Sequence, residues 1–277
     1  MSYLSVSTWS LHRLLGPLRW TIWDEEDGVH RTALEPQPEE LSLLELPAAA
    51  AAKGFQALEV CHFHFPSREP DDLMKLRAAF RNAGIAFDTL LLDYGDLTSP
   101  DPRRVEADER YISSWIDAAA LAGAKKVRVI AGEAMPTDEG ALARSAASLD
   151  RLSAYAHECG VRIVTENFKP LTSTGPSCLK LLGRTEKPLA MITDFGNFKG
   201  AAKYEELAMI LPRSLSVHAK AEFDEHGIPD EQELRLCLEA VRHSGYDGSY
   251  VIIYDGPGDM WAGIERVRRI VEPYAAG

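Results

Sequence analysis

The feature that most constrains the fold is a repeated unit, in which a helical pattern ends at a glycine and a β-rich run follows. Five such glycines are present, at Gly54, Gly84, Gly123, Gly160 and Gly245. A glycine just past a helix adopts the left-handed conformation that closes it. The β-rich runs are short and nearly continuous in apolar residues, which is typical of parallel strands covered on both faces. The pattern therefore predicts helices alternating with strands of a parallel sheet.

The spacing of the units predicts eight strands. The first four glycines follow one another at intervals of 30 to 39 residues, and the next gap has room for two further units, whose strands lie at 188–194 and 214–220. With the opening run YLSVST, eight β-α units in about 250 residues are typical of an α/β fold of the (β/α)8 TIM-barrel type. A doubly wound open sheet is the alternative, but no G-x-G-x-x-G follows the first strand. We expect one domain over residues 1–277.

One long connection, residues 16–40 after the first strand, interrupts this spacing. Loops that follow barrel strands lie at the end of the barrel where active sites form, and long loops at such sites often serve as lids. A plain surface insertion is the other interpretation. Trp20 and Trp23 in this extended loop, and Trp9 before it, are candidates for the wall of a pocket.

Composition narrows the class of protein. The chain has 30 basic and 42 acidic side chains, a net charge of −12, which argues against nucleic-acid and anionic-membrane partners. No stretch reaches the roughly 20 apolar residues of a membrane span, and the N-terminus does not resemble a signal peptide. The four cysteines are scattered, as expected in a reducing compartment. We expect a cytoplasmic protein.

Three consecutive predicted strands carry, at or near their ends, residues of the types that bind metal ions. The fifth strand, VRIVTEN, finishes at Glu166, the sixth, LAMITD, finishes at Asp194, and the seventh, SLSVHAK, carries His218 near its end. A single aspartate after a strand is more often a helix N-cap, and a single buried histidine is more often structural. Three such residues at the carboxyl ends of barrel strands together predict a site for a divalent metal such as Mn²⁺, Mg²⁺ or Co²⁺.

On these residues the chain resembles the xylose isomerase-like (AP endonuclease 2-type) TIM barrels, over nearly its whole length. This group includes sugar isomerases, ketose 3-epimerases, inosose dehydratases and dehydroshikimate dehydratases. The resemblance implies one divalent metal, Mn²⁺ first with Mg²⁺, Co²⁺ or Zn²⁺ as alternatives, held by Glu166, Asp194, His218 and a fourth ligand on the eighth strand. It also implies a sugar, polyol or cyclic keto-acid as substrate, and such barrels often pair as homodimers.

The eighth predicted strand departs from the family pattern. Where family members often carry a glutamate, the stretch GYDGSYVIIYDG has Ile253, which cannot bind a metal. Asp255 lies two residues further on and would face the same way along a strand, so it is the candidate fourth ligand. Alternatively, Asp255 belongs to the turn DGPGD. Asn197 stands where the family often has a histidine, and it can make hydrogen bonds but cannot take up or release a proton at neutral pH.

Further candidates surround this centre. Lys220 shares the parity of His218 and is expected to point into the barrel mouth, where it would stabilise an enolate or bind a carboxylate. In VCHFHF, strand alternation would place His62 and His64 on the same face. We interpret them as a catalytic acid/base pair or a substrate-binding pair. The alternative is that they are rim histidines hydrogen-bonded to the backbone. The remaining candidates for substrate binding are Lys169, Asn197, His12 and Trp23.

The resemblance implies an isomerase or epimerase that transfers a proton next to the carbonyl of a polyhydroxylated substrate. In the family's epimerases two glutamates flank the substrate, and Ile253 replaces the second, so we expect Glu166 to act as a single base. The alternatives are a dehydratase or lyase of the inosose or dehydroshikimate type, and a catalytically degenerate sugar-binding barrel. A DNA-repair phosphodiesterase would need more metal ligands and a basic surface.

Overall fold

The computed structural model describes residues 2–275, and within them eight parallel strands close into a barrel. In chain order the strands are β1 (Tyr3–Ser7), β2 (Leu18–Asp24), β3 (Val29–Glu35), β4 (Ala57–Cys61), β5 (Ala86–Leu91), β6 (Lys126–Arg128), β7 (Arg162–Glu166), β8 (Ala190–Asp194), β9 (Ser214–Lys220) and β10 (Ser249–Ile253). The helices are α1 (Leu46–Ala52), α2 (Pro70–Ala83), α3 (Pro102–Ala122), α4 (Glu139–Glu158), α5 (Gly175–Leu182), α6 (Lys203–Ile210), α7 (Glu231–His243) and α8 (Met260–Ala275).

The barrel contains β1 and β4 to β10, each paired in parallel with its neighbour, and β1 pairs with both β4 and β10 to close the ring. The predicted (β/α)8 barrel is thereby confirmed. The five glycines that predicted helix ends all have φ between 69° and 85°, the left-handed region that closes a helix. The main hydrophobic core lies between the strands and the surrounding helices, where apolar side chains such as Ile112, Leu149 and Val267 are buried.

The connection after β1 is a two-stranded antiparallel hairpin of β2 and β3 rather than an irregular loop. The hairpin packs against the rim of the barrel. The Trp20 ring lies 4.4 Å from that of Phe63, and the Thr21 hydroxyl is 2.6 Å from the Tyr111 hydroxyl. The β-branched and aromatic residues of RWTIW are typical of a strand, so the segment carried a signal for this hairpin.

The barrel interior holds a charged pair below the mouth. Lys126 Nζ lies 2.8 Å from Asp88 Oδ2 and 3.1 Å from the Ser216 hydroxyl, and the Tyr3 hydroxyl donates to the same aspartate oxygen. Both charges are buried, and the contacts satisfy them as buried ions require. The four cysteines are free thiols, and no helix within residues 2–275 is both long and apolar enough to cross a membrane.

Candidate active site

Glu166, Asp194 and His218 converge at the carboxyl ends of β7, β8 and β9. The parallel register aligns Asp194 with His218, and Glu166 with Ile192 on the neighbouring strand. All three side chains are buried, and each offers one potential ligand atom that lies within 4.8 Å of the other two. The structure therefore brings together the three residues that the sequence marked as metal ligands.

A carboxylate behind His218 fixes the orientation of its ring. His218 Nε2 lies 2.7 Å from Glu59 Oε2, and the Thr89 hydroxyl donates to the other Glu59 oxygen. His218 Nδ1 faces Glu166 Oε1 and Asp194 Oδ2, each 3.5 Å away. Carboxylate partners of this kind orient metal-binding histidines and raise their basicity. The sequence analysis missed Glu59, although an acidic residue inside the apolar run ALEVC was a signal.

The charges around His218 favour a cation at this position. Burial lowers the pKa of the imidazole, but Glu59 and Glu166 raise it well above its usual range, so the ring carries a proton among carboxylates. Burial likewise raises the pKa of Asp194, while the hydrogen bond and charge of His218 hold it below its usual range. A divalent cation bound here would take the place of that proton.

The donor set fits a divalent metal ion. It consists of two carboxylates and one imidazole, which suit Mn²⁺, Mg²⁺, Co²⁺ or Zn²⁺. Glu166 Oε2 is buried and, beside an ion pair with Arg128 at 3.1 Å, has no hydrogen-bond partner in the described chain, so it retains a lone pair for a ligand. Three protein ligands also leave coordination positions open for a substrate, as in catalytic rather than structural sites.

The expected fourth ligand, Asp255, lies outside this cluster. Its carboxylate oxygen Oδ2 pairs with Lys220 Nζ at 2.7 Å instead, and the cluster found among the described residues contains only the other three. The prediction extended the alternation of a strand to Asp255, but β10 ends at Ile253, so the parity no longer applies. Ile253 itself lines the mouth cavity and is 3% exposed.

A cavity of about 270 Å³ opens in front of the cluster. Aromatic side chains form much of its wall: Trp9, Trp20, Phe63 and Phe168. The polar side chains that line it, besides the cluster, are Ser7, Asp93, Arg128, Lys169, Asn197 and Lys220. Aromatic walls with a few convergent polar groups are typical of small-molecule sites.

Three of these polar residues were candidates from the sequence. Asn197 Nδ2 donates to Glu166 Oε1 at 3.3 Å. Lys220 is held by Asp255, and although burial lowers its pKa, the charges of Asp194 and Asp255 raise it above its usual range, so it remains a cation. Lys169 pairs with Glu133 at 3.0 Å.

Lys169 also has an unusual backbone. Its φ of 69° makes it the one non-glycine residue with a positive φ in the described chain. Backbone strain of this kind collects at functional sites, where the surrounding structure holds it. Lys169 also lines the mouth cavity, so it remains a candidate for substrate binding.

Arg128, at the end of β6, is a member of the site that the sequence analysis missed. Its guanidinium is fully buried, with Nη2 2.6 Å from Asp93 Oδ1 and Nε 3.1 Å from Glu166 Oε2. Burial lowers its pKa, but Asp93 and Glu166 raise it, so it is charged. An arginine inside the apolar run KVRVI was the signal in the sequence.

The structure does not place His62 and His64 beside the metal cluster. β4 ends at Cys61, and the two histidines lie in a 3-10 turn, so the predicted alternation on one strand face is wrong. His64 Nδ1 contacts the Thr8 hydroxyl at 2.9 Å, and His62 Nδ1 accepts from the Asp93 amide at 3.2 Å. The residue between them, Phe63, lines the mouth cavity instead.

Two other substrate-binding candidates also lie away from the cavity wall. His12 stacks on Trp9 with ring centroids 4.3 Å apart, and its Nδ1 contacts the Trp9 carbonyl. Trp23 packs against His30, with the Arg104 guanidinium 5.0 Å from its ring. Both residues therefore support their neighbours, and the tryptophans that wall the cavity are Trp9 and Trp20.

The buried histidines predict a loss of stability in acid. Burial lowers the pKa of His62 to about 4 and that of His64 to about 3. Below pH 6.5 these two histidines become protonated in the unfolded chain but stay neutral in the folded protein. The free energy of unfolding that is present above pH 6.5 therefore falls as the pH drops towards 4. We expect each histidine to lower the free energy of unfolding by about 2 kcal/mol between pH 7 and pH 5.

Urea unfolding at the two pH values, on wild type and His62→Asn, measures this effect. Asparagine keeps an acceptor for the Asp93 amide but does not titrate, so the variant should lose one histidine's share of the pH dependence. An unchanged pH dependence in the variant would show that His62 is not held neutral. Titration of His218 contributes equally to both proteins and cancels in the comparison.

Comparison with known proteins agrees with this architecture. The model of the xylose isomerase-like TIM barrel family matches residues 47–270, so the chain belongs to that family. The chain is 28% identical over 250 residues to a protein of Streptomyces coelicolor strain A3(2) named "putative hydroxypyruvate isomerase", a match that covers 79% of this chain and 88% of that protein.

Solved structures share the fold over nearly the full length. L-ribulose 3-epimerase has a TM-score of 0.72 and 16% identity, with 100% of this chain and 95% of that chain covered. The IolI protein, solved with a bound zinc atom, has a TM-score of 0.72 and 14% identity, with 99% and 98% covered. At these identities the two structures show a common fold.

Proposed function

We propose that this xylose isomerase-like barrel is a divalent-metal-dependent isomerase, which removes a proton from the hydroxylated carbon next to the carbonyl of a small substrate and returns it to the former carbonyl carbon, so that the carbonyl and hydroxyl exchange places. The observation that carries the proposal is the cluster of Glu166, Asp194 and His218, with potential ligand atoms within 4.8 Å of one another. The cluster faces a cavity with aromatic walls and a lysine. The relative named for hydroxypyruvate isomerisation and the epimerase with the same fold support the same class of chemistry.

The mouth cavity suits a small substrate. Its volume of about 270 Å³ lies just below the range of roughly 300–1,000 Å³ typical of drug-sized ligands. The aromatic rings of Trp9, Trp20 and Phe63 offer flat apolar surfaces, and Lys220 and Asn197 offer hydrogen-bond donors. A short-chain ketose or hydroxy-keto acid combines such apolar and polar faces.

Each residue has a defined role in this proposal. Glu166, Asp194 and His218 would hold the metal, with Mn²⁺ first among the candidates, and the ion would polarise the substrate carbonyl. Glu166 would take the proton, since it lines the mouth cavity and Asn197 orients its Oε1, while Oε2 is ion-paired with Arg128 but makes no hydrogen bond. Lys220 stays charged and donates a hydrogen bond to substrate oxygen that gains negative charge.

The single base favours isomerisation over epimerisation. Epimerisation at one carbon needs proton removal from one face and return on the other, which two groups accomplish. Ile253 occupies the strand-end position next to Lys220 in the register and cannot accept a proton. A base on one face can instead return the proton to the adjacent carbon on that same face.

A hydrogen-exchange assay tests the proposal. The protein, loaded with Mn²⁺, is incubated in D₂O with short ketoses and hydroxypyruvate, and products are followed by NMR. We expect deuterium at the carbon next to the carbonyl and an isomerised product, both absent from Asp194→Ala. Release of water with an unsaturated product would replace the isomerase by a dehydratase. Absence of any turnover with metal bound would support a sugar-binding barrel instead.

Restoring the missing glutamate should tighten metal binding. Ile253 lines the mouth cavity at the end of β10, so Ile253→Glu adds a carboxylate at the strand end where family members often carry one. We expect the Mn²⁺ dissociation constant to fall by about tenfold or more, since one added charged ligand contributes more than 1.4 kcal/mol. Calorimetric titration measures this.

Ile253→Gln is the matched control, because it adds polarity and similar volume without charge. Equal affinities for the two variants would show that position 253 does not reach the metal. A gain confined to the glutamate variant would support the assignment of the metal centre.

A further inference from the structure

A second cavity, of about 600 Å³, lies outside the barrel mouth. It is bounded by the β2–β3 hairpin, by the turn at residues 65–68 and by α3, and none of its lining residues lines the mouth cavity. Neither the metal cluster nor the proposed reaction uses this space. It is large enough for a small metabolite.

The lining of this second cavity is strongly basic. Four arginines contribute to it, Arg19, Arg31, Arg68 and Arg110, and none of its lining residues is an aspartate or glutamate. The whole chain carries a net charge of −12, so this is a local concentration of positive charge on an acidic protein. A basic cavity of this kind attracts anions.

Two of the arginines have no carboxylate partner in the described chain. Arg19 donates to the Pro17 carbonyl at 2.9 Å, and Arg68 donates to the Ser114 hydroxyl at 2.9 Å. A guanidinium has five N–H donors, so both retain donors for a ligand. Arg31 and Arg110 are engaged by acidic neighbours at the surface and contribute less.

Aromatic rings of α3 position Arg68 in the cavity. The Arg68 guanidinium lies 4.9 Å from the Trp115 ring and 5.6 Å from the Tyr111 ring. The Tyr111 hydroxyl lies 2.6 Å from the Thr21 hydroxyl, and Thr21 is on the same face of β2 as Arg19 by strand alternation. The stacked Arg68 side chain therefore loses less conformational entropy when it binds an anion bidentately.

We propose that this second cavity binds a small molecule through its phosphate or carboxylate group, with Arg19 and Arg68 as the principal ligands. The anion would join the hairpin to the segment before α2, because the two arginines belong to these two elements. Trp20, next to Arg19, lines the mouth cavity. Binding in the second cavity therefore stabilises the wall of the first.

A polar chain also connects the two cavities. The Thr21 hydroxyl lies 3.3 Å from His62 Nε2, and His62 Nδ1 accepts from the Asp93 amide. The Asp93 carboxylate in turn pairs with Arg128, which contacts Glu166. A continuous set of contacts therefore runs from Thr21, at the second cavity, to the candidate base Glu166.

Titration with inorganic phosphate and with acetate tests the proposal. Metal-free protein is used, with calorimetry as the readout, so that the outcome does not depend on the proposed reaction. We expect a binding site for at least one anion, weakened about tenfold or more in the variant Arg19→Ala/Arg68→Ala. A response to phosphate alone assigns a phosphate ligand, and a response to acetate alone assigns a carboxylate.

Arg213→Ala is the control, because Arg213 is exposed and precedes β9 at the opposite end of the barrel. It should bind as wild type does. The variant Arg19→Lys/Arg68→Lys keeps the charge and should bind with intermediate affinity, since lysine cannot bind bidentately. Lack of binding of either anion up to about 20 mM, or equal affinity in wild type and the double alanine variant, would overturn the proposal.

Discussion

Glu166→Gln is expected to lower kcat by about 10³-fold, within the range that a positioned general base contributes. Glutamine has nearly the same shape, and its one amide oxygen can accept from either Asn197 or Arg128, but it cannot take up a proton. Glu166 Oε2 is buried and makes no hydrogen bond in the described chain, and its one charged contact is the ion pair with Arg128 at 3.1 Å. Steady-state rates with the substrate identified by the exchange assay measure the loss.

Because Glu166 is also a candidate metal ligand, the variant is assayed at saturating Mn²⁺ and its metal content is determined in parallel. Glu133→Gln is the matched control. Glu133 pairs with Lys169 near the same mouth but is half-exposed, and its loss should change kcat little. A Glu166→Gln variant that binds metal and retains full kcat would remove Glu166 from the role of base.

Arg128→Met is expected to lower the free energy of unfolding of the metal-free protein by about 3–5 kcal/mol, the usual cost of breaking a buried ion pair. The side chain is 4% exposed and lies between Asp93 and Glu166. Methionine has a similar length, so little packing is lost. The loss of stability therefore measures the cost of leaving the two carboxylates buried without their counter-ion. Urea unfolding measures it.

Metal should rescue part of this loss, because a divalent cation beside Glu166 supplies positive charge where the guanidinium was. Arg162→Met is the control, since Arg162 begins β7 at the opposite end of the barrel and is exposed. We expect it to change stability by less than about 0.5 kcal/mol, as surface substitutions usually do. A loss below about 1 kcal/mol for Arg128→Met would show that the buried pair is not held as described.

Periodicity and the glycines were sufficient to predict the barrel, because both are local signals that recur in each unit. The ends of β7, β8 and β9 could then be located at Glu166, Asp194 and Lys220, and a parallel barrel brings strand ends to one face. Glu166, Asp194 and His218 followed from that rule alone. Their convergence did not require any knowledge of side-chain packing.

The residues that sequence analysis missed act across the barrel rather than along it. Glu59 contacts His218 from β4, and Arg128 contacts Glu166 from β6. Each is one charged residue in an apolar strand, and its partner is far away in sequence. Such a charge indicates a buried partner, but which partner is decided by the closure of the barrel.

The predicted placements that differ from the structure share a physical cause. Asp255 and the pair His62 and His64 were placed by extending strand alternation past the last strand residue. The chain leaves β10 after Ile253 and leaves β4 after Cys61, and a turn rotates each following side chain differently. Alternation is a property of the strand itself, so predictions beyond its end need the turn geometry.

Metal content, determined by elemental analysis after incubation with Mn²⁺ and removal of excess, tests the central claim most directly. The comparison is between wild type, Asp194→Ala, His218→Ala and the control Asp255→Ala, whose carboxylate lies outside the cluster. The account predicts about one ion per chain in wild type and control, and almost none in the other two. A wild type that holds no metal, or cluster variants that retain it, would contradict the account.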